Sequence, residues 1–254
     1  MKRIVLFRFS KEPEICKNRL ELIGKLNPGV PIYGIFGGEE SEENLYKEAL
    51  ESYFANFYTI RNQASKWKWK NVDLALRDWY KSVGQDIDFD LAHLIEWDLL
   101  ITTSLEKAYG GINKGEIGIT ALVPLESVES KWYWTSEEPS KTEWENLLKF
   151  AKEKYGYNQN PFASLGPGTC YPKEFLEKYS KVEVPELCHD ELRVPLFAQI
   201  CGIPIKDTGF YRSWSDAEEE KIFNCEGQEI EMSLIEEKTV DGSRVAFHPF
   251  RKLF

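Results

Sequence analysis

The first 36 residues restrict the fold more than any other part of the chain. Ile4 to Phe9 is a nearly continuous apolar run of strand length, the pattern of a strand covered on both faces. Pro13 then opens a segment whose apolar positions, Cys16, Leu20, Ile23 and Leu26, lie on one helical face, and Asn27-Pro28-Gly29 stops it. A second β-run, Pro31 to Phe36, follows at once and ends in Gly37-Gly38. Strand, helix and strand over this span predict a βαβ unit, and so a parallel sheet with helices packed against it.

The pattern continues with a strand at Phe54 to Ile60, a helix presenting Val72, Leu76, Trp79 and Val83 on one face, and an apolar strand from Phe89 to Ile95. In the second half the signals are less regular. Strands are expected at Glu116 to Leu122 and Lys131 to Trp134. Thr142 and Glu145 read as a capping box for a helix with the stripe Trp144, Leu147, Leu148, Ala151 and Tyr155, ended by Gly156. A turn-rich segment from Asn158 to Pro172 contains Leu165-Gly166-Pro167-Gly168. Helices are expected at Lys173 to Tyr179 and Asp190 to Cys201, and the chain closes on Phe247-His248-Pro249-Phe250-Arg251. With no internal repeat and no long linker, residues 1–254 read as one α/β domain.

The balance of 42% hydrophobic and 29% charged residues is that of a globular protein. A formal net charge of -10 argues against a general nucleic-acid binder, which needs clustered Lys and Arg. It does not exclude a phosphate ligand, because a bound cation supplies positive charge locally. The five cysteines, Cys16, Cys170, Cys188, Cys201 and Cys225, form no CxxC pair, which suits reduced thiols buried as small hydrophobes. Met1 leads directly into the first strand without a signal-peptide pattern, and no stretch approaches the roughly 20 apolar residues of a membrane span. A soluble, cytoplasmic protein is the expectation.

Four groups of residues have the composition of a site. Glu96-Trp97-Asp98 places two carboxylates at i and i+2 at the carboxyl end of a strand, where ligands gather in open α/β sheets and where both can face one cation. Taken alone, Asp98 better suits a cap for a helix starting near Leu99. His248 offers an imidazole ligand beside Arg251 and Lys252. Gly166-Pro167-Gly168 permits close backbone approach to a ligand. In His189-Asp190-Glu191-Leu192-Arg193 a carboxylate is placed to take a proton from an attacking hydroxyl, although Asp190 also suits an N-cap or an i, i+3 pair with Arg193.

In this order the four groups resemble those of the GT-A glycosyltransferases, and the likeness runs over nearly the whole chain. The resemblance implies a GT-A fold, a Rossmann-like mixed sheet flanked by helices, with residues 1–100 holding the nucleotide and 101–254 the acceptor. It implies a Mn²⁺ or Mg²⁺ site at Glu96, Asp98 and His248, with Asp98 as the surer ligand because the motif reads Glu-Trp-Asp. Gly166 and Gly168 would lie over the donor sugar and Arg251 near the diphosphate. The catalytic motif reads His-Asp-Glu, which leaves the base open between Asp190 and Glu191; by position Glu191 is preferred, with Asp190 capping the helix or orienting the acceptor. On the nucleotide side it points to Phe7, Arg8, Gly37 and Gly38, with Asp73 and Arg77 as further candidates. Arg8 equally suits an edge salt bridge. The implied activity is transfer of a sugar from a nucleotide-diphosphate-sugar to a sugar or other hydroxyl acceptor, with inversion. The rivals are a catalytically silent nucleotide or sugar binder on the same fold and a sugar-1-phosphate nucleotidylyltransferase. The second would carry a longer glycine-rich basic loop where this chain has Ser10-Lys11-Glu12-Pro13. Trp132, Trp134, Trp144 and Trp214 fall in the acceptor half, where aromatic faces suit sugars, though each also suits a core.

Overall fold

The computed structural model describes residues 1–254. A seven-stranded mixed sheet runs through the molecule in the order β3-β2-β1-β4-β7-β6-β8. Its strands are β1 (Arg3–Phe9), β2 (Ile32–Phe36), β3 (Asn56–Thr59), β4 (Leu91–Glu96), β6 (Ile117–Pro124), β7 (Phe162–Pro172) and β8 (Ile205–Asp207). A separate pair joins β5 (Leu100–Ile101) to β9 (Ala246–Phe247). β1 is parallel to β2 and β4, and β2 to β3. β7 runs antiparallel between β4 and β6.

The alternation in β1 builds both layers. Ile4 and Leu6 enter one core with the helices Val72–Ser82, Ser140–Tyr155, Lys173–Lys181 and Asp190–Ile200. Val5, Phe7 and Phe9 enter the other with the helix Pro13–Leu26. The apolar run therefore is covered on both faces, as expected.

Three local expectations give way. Lys131 to Trp134 is not a strand; Tyr133–Ser136 forms a helical turn, so the alternating Trp132 and Trp134 do not mark a pleat. The helix expected to start at a Thr142 capping box begins at Ser140, and it is Glu138 that accepts from Thr142 Oγ1 at 2.7 Å. The segment around Leu165-Gly166-Pro167-Gly168 belongs to β7. The β6 partner of Cys170 is Gly118 and that of Leu165 is Thr120, so residues 166–168 bulge out of the ladder. Glycine and proline are tolerated there because a bulge frees their backbone from pairing.

All cysteines are free, and Cys16, Cys170 and Cys188 are buried, whereas Cys225 is exposed. No helix is long and apolar enough to cross a membrane.

Candidate functional site

Arg8 and Glu96 are register partners at the carboxyl ends of the parallel strands β1 and β4, and their side chains form an ion pair. The edge salt bridge open to Arg8 is thus made. Arg8 also donates to the carbonyl of Lys68 at 2.9 Å. In the strand order, β2 and β3 lie on one side of β1 and β4 on the other, so this pair stands at the switch point where open sheets form a crevice.

Residues 100–101 form β5 rather than a helix, which removes the capping role for Asp98. Leu100 pairs with Phe247 and Ile101 with Ala246, and Phe250 N–H donates to the Asp98 carbonyl at 2.8 Å. This short ladder brings His248 beside Asp98 across more than half the sequence. The His248 Nε2 lies 3.7 Å from Asp98 Oδ1. Ligand atoms of Glu96, Asp98 and His248 all lie within 4.8 Å of one another. The His248 Nδ1 is 2.6 Å from the carbonyl of Asn224, an acceptor only, so Nδ1 carries the proton and Nε2 presents its lone pair. Two carboxylates and one such imidazole are a donor set suited to Mn²⁺ or Mg²⁺. Arg251 Nε approaches Asp98 Oδ2 at 3.3 Å, placing a guanidinium at the rim.

The C-terminal segment is held by Arg19, almost fully buried on the helix Pro13–Leu26, which donates to the carbonyls of Phe250 at 2.9 Å and Lys252 at 2.7 Å. Burial lowers its pKa to about 10 against the pull of Asp98. An arginine on an apolar helix face gave no sequence signal for this role.

The second acidic group opens the helix Asp190–Ile200, whose cap is His189, so Asp190 does not cap. Arg193 does not pair with Asp190 either; it turns to Asp73, as described below. Glu191 is buried and held at both oxygens: Gly166 N–H donates to Oε1 at 3.0 Å and the Trp134 indole N–H to Oε2 at 2.7 Å. The bulge in β7 is what aims the Gly166 N–H out of the sheet. Burial, reinforced by Asp190, raises the Glu191 carboxyl above its ordinary range. Burial would raise Asp190 as well, but His189, Arg193 and Arg8 hold it below. Burial disfavours the His189 imidazolium, yet Asp190 and Glu191 raise its pKa. His189 Nδ1 is 2.8 Å from Asp190 Oδ1, a contact that becomes an ion pair when the imidazole is protonated. With the ring neutral, Nδ1 accepts the Glu191 N–H at 3.4 Å and caps the helix.

The two acidic groups share surroundings. Arg8, paired with Glu96, also acts on Asp190.

Several residues expected to touch nucleotide are committed elsewhere. Asp73 is fully buried; its carboxylate takes Arg193 Nε at 2.8 Å and Nη2 at 2.5 Å and the Tyr179 hydroxyl. Arg77 donates to the Val182 carbonyl at 2.7 Å. Phe7 is fully buried among Phe9 and Phe54. Gly38 is required by packing, since a Cβ there would meet the Phe36 ring at 2.5 Å, whereas a Cβ at Gly37 would meet nothing closer than 3.8 Å. The Gly38 carbonyl instead accepts from the buried Lys68 ammonium at 2.6 Å, a residue that sequence reasoning missed. Gly168 has φ +83°, and a Cβ there would meet the Phe210 ring at 2.8 Å; at Gly166 a Cβ would stay 3.8 Å from Glu191 Oε1.

No family model and no curated protein matches the sequence. Among solved structures, the chain is similar to the galactosyltransferase LgtC in complex with donor and acceptor sugar analogues. Identity there is 12% over 71% of this chain and 60% of that one, with a TM-score of 0.39. An active-site mutant of LgtC aligns at 12% identity over 72% of this chain and 60% of that one, with a TM-score of 0.40. The chain spans 60% of the length of these neighbours.

Proposed function

We propose that this protein is a metal-dependent glycosyltransferase of the GT-A type, transferring a sugar from a nucleotide-diphosphate-sugar to a hydroxyl acceptor. The observation that carries the reading is the meeting of Glu96, Asp98 and His248 at the switch point of the sheet, with ligand atoms within 4.8 Å of one another. A divalent cation held there would neutralise the leaving diphosphate. Arg251, at the rim of Asp98, is placed to bind the same phosphates. Arg8 shares the Glu96 carboxylate, which leaves Asp98 and His248 as the principal ligands.

Glu191 then accepts the proton of the attacking hydroxyl. The Trp134 and Gly166 N–H groups fix the direction of its carboxylate while each oxygen keeps a lone pair, and its raised pKa brings it nearer to neutrality as a base. Asp190, kept ionised by its cationic neighbours, adds negative charge where an oxocarbenium-like sugar would develop. A single carboxylate base suits inversion.

The test is a screen of nucleotide-sugars for Mn²⁺-dependent hydrolysis or transfer, with Glu191→Gln as the control. The reading requires turnover that needs the metal and is lost in the variant while nucleoside diphosphate still binds. Metal-dependent binding without turnover for any donor would leave the silent binder in its place.

A further inference from the structure

Residues 166–168 leave the β6–β7 ladder, so their backbone has to be held by something other than a neighbouring strand. Two side-chain hydroxyls do this. Thr169 Oγ1 donates to the Gly166 carbonyl at 2.9 Å, and the Tyr109 hydroxyl donates to the Gly168 carbonyl at 3.0 Å; both side chains are buried. Gly166 is therefore pinned on both sides of its Cα, since its N–H donates to Glu191 Oε1 at 3.0 Å. Gly166, Thr169, Asp190 and Glu191 line one small cavity, which places this clamp at the second acidic group.

Glycine has the widest backbone freedom of any residue, and two glycines flank Pro167 here. Pro167 fixes its own φ but leaves most of their freedom intact. Left to itself such a bulge samples several directions for the Gly166 N–H, and the two hydroxyls select one. Tyr109 is itself rigidly seated. It directly follows the helical turn Leu105–Ala108, packs on His93 at a ring-centroid distance of 4.3 Å, and meets Phe210 edge-on at 4.9 Å. His93 lies on β4, the strand that ends at Glu96, and the turn follows β5, just beyond Asp98. The stretch of chain that carries Glu96 and Asp98 thus also reaches across to the bulge that orients Glu191.

We infer that Tyr109 and Thr169 are positioning residues, whose hydroxyls clamp the Gly166–Gly168 bulge and, through the Gly166 N–H, fix the direction of the Glu191 carboxylate. Both act through the bulge rather than by donating to the carboxylate. Burial raises the Glu191 carboxyl and the Gly166 N–H pulls against it, so a looser bulge leaves the carboxyl higher still. The effect on turnover rests on the transferase reading; the direction of the carboxylate rests on the hydrogen bonds alone.

The experiment follows the Glu191 carboxyl carbon and the Gly166 amide by NMR in the full chain labelled at glutamate and glycine, without donor or metal. Glu191→Gln and Gly166→Ala assign the two signals. In Tyr109→Phe and Thr169→Val the carboxyl should titrate at higher pH than in the native protein, and the Gly166 amide should exchange about tenfold faster. Thr169→Ser should restore both. Tyr157→Phe, which removes a hydroxyl bonded to Gln199 rather than to the bulge, should change neither. Both test variants keep the side-chain shape, an unchanged circular dichroism spectrum checks the fold, and either alone decides if the other does not fold. Native signals in the folded variants overturn the clamp. So does an equal change in Tyr157→Phe, because the effect is then general loosening. Where a nucleotide-sugar is turned over with Mn²⁺, kcat in both variants should fall about tenfold at unchanged donor KM, with recovery in Thr169→Ser. Shifted signals with native kcat count against Glu191 as the base and leave the clamp, and no turnover by the native protein sinks the transferase reading alone.

Discussion

His248 donates its Nδ1 proton to the main-chain carbonyl of Asn224 at 2.6 Å, and so turns the bare Nε2 toward Asp98. Orientation by a backbone acceptor prepares an imidazole for a cation before the cation arrives. Mn²⁺ with a nucleoside diphosphate, at concentrations well above the dissociation constant, should therefore raise the unfolding free energy by about 2 to 3 kcal/mol. Asp98→Asn and His248→Ala should each remove most of that rise, and Glu96→Gln less of it, because Arg8 already draws on Glu96. Thermal melts with and without the pair check this. A full rise in Asp98→Asn would exclude Asp98 as a ligand.

Arg19 reaches the same site from behind, through the carbonyls of Phe250 and Lys252. Arg19→Met should loosen the segment that carries His248 without touching a ligand. The expected result is about tenfold weaker Mn²⁺ binding by calorimetry, together with easier proteolysis near the C-terminal end. Unchanged Mn²⁺ affinity in a folded variant would show that the strap holds without it.

The Asp73–Arg193 pair is a structural staple. Both side chains are fully buried, so removing one partner strands a charge. Asp73→Ala should cost about 3 to 5 kcal/mol in urea unfolding, while the double change Asp73→Leu, Arg193→Met should cost less than either single change. Nucleoside diphosphate affinity of the folded protein should not move in the double variant.

How much of this could be read beforehand follows from the physics of each signal. The βαβ start and the helix Val72–Ser82 were legible because their apolar periods are long and match the faces they bury. Asp73 sits among polar-face candidates on that same helix, and nothing in a linear pattern shows that Arg193 arrives to neutralise it. The β5–β9 pair was invisible, since strands of two residues carry no period, yet it is what brings Asp98 and His248 together. β7 was hidden for the opposite reason. Gly166-Pro167-Gly168 carries turn chemistry, but the flanking residues pair on both sides and the turn residues only make a bulge. The approach of Trp134 to Glu191 depends on a helical turn where the aromatic alternation suggested a strand.

Within that bulge the two glycines separate. Gly168→Ala places a side chain at φ +83° against the Phe210 ring and should cost about 1 to 3 kcal/mol of stability. Gly166→Ala meets only ordinary contacts near Glu191 and Asp190 and should leave stability within about 1 kcal/mol. Its effect should fall instead on turnover, through displacement of whatever approaches the Glu191 carboxylate. Chemical denaturation and kcat of the two variants distinguish the roles, and equal destabilisation would deny the difference.

Glu191 sets activity and stability against each other. Its folded pKa is raised above 4.5, chiefly by burial, so between 4.5 and the raised value the native state binds more protons than the unfolded one. Stability therefore falls as pH rises through that window. A base must be ionised, so turnover rises with pH through the same folded value. Glu191→Gln removes the ionisation and should melt higher than the native protein near neutral pH, with the gap closing below about pH 4. Its turnover should drop by roughly 100-fold or more, and the acid limb should vanish from the residual rate. Melting curves and rate profiles across pH 4 to 8 would decide. A variant that melts lower than the native protein at neutral pH would mean that the hydrogen bonds from Trp134 and Gly166 outweigh the cost of burying the charge.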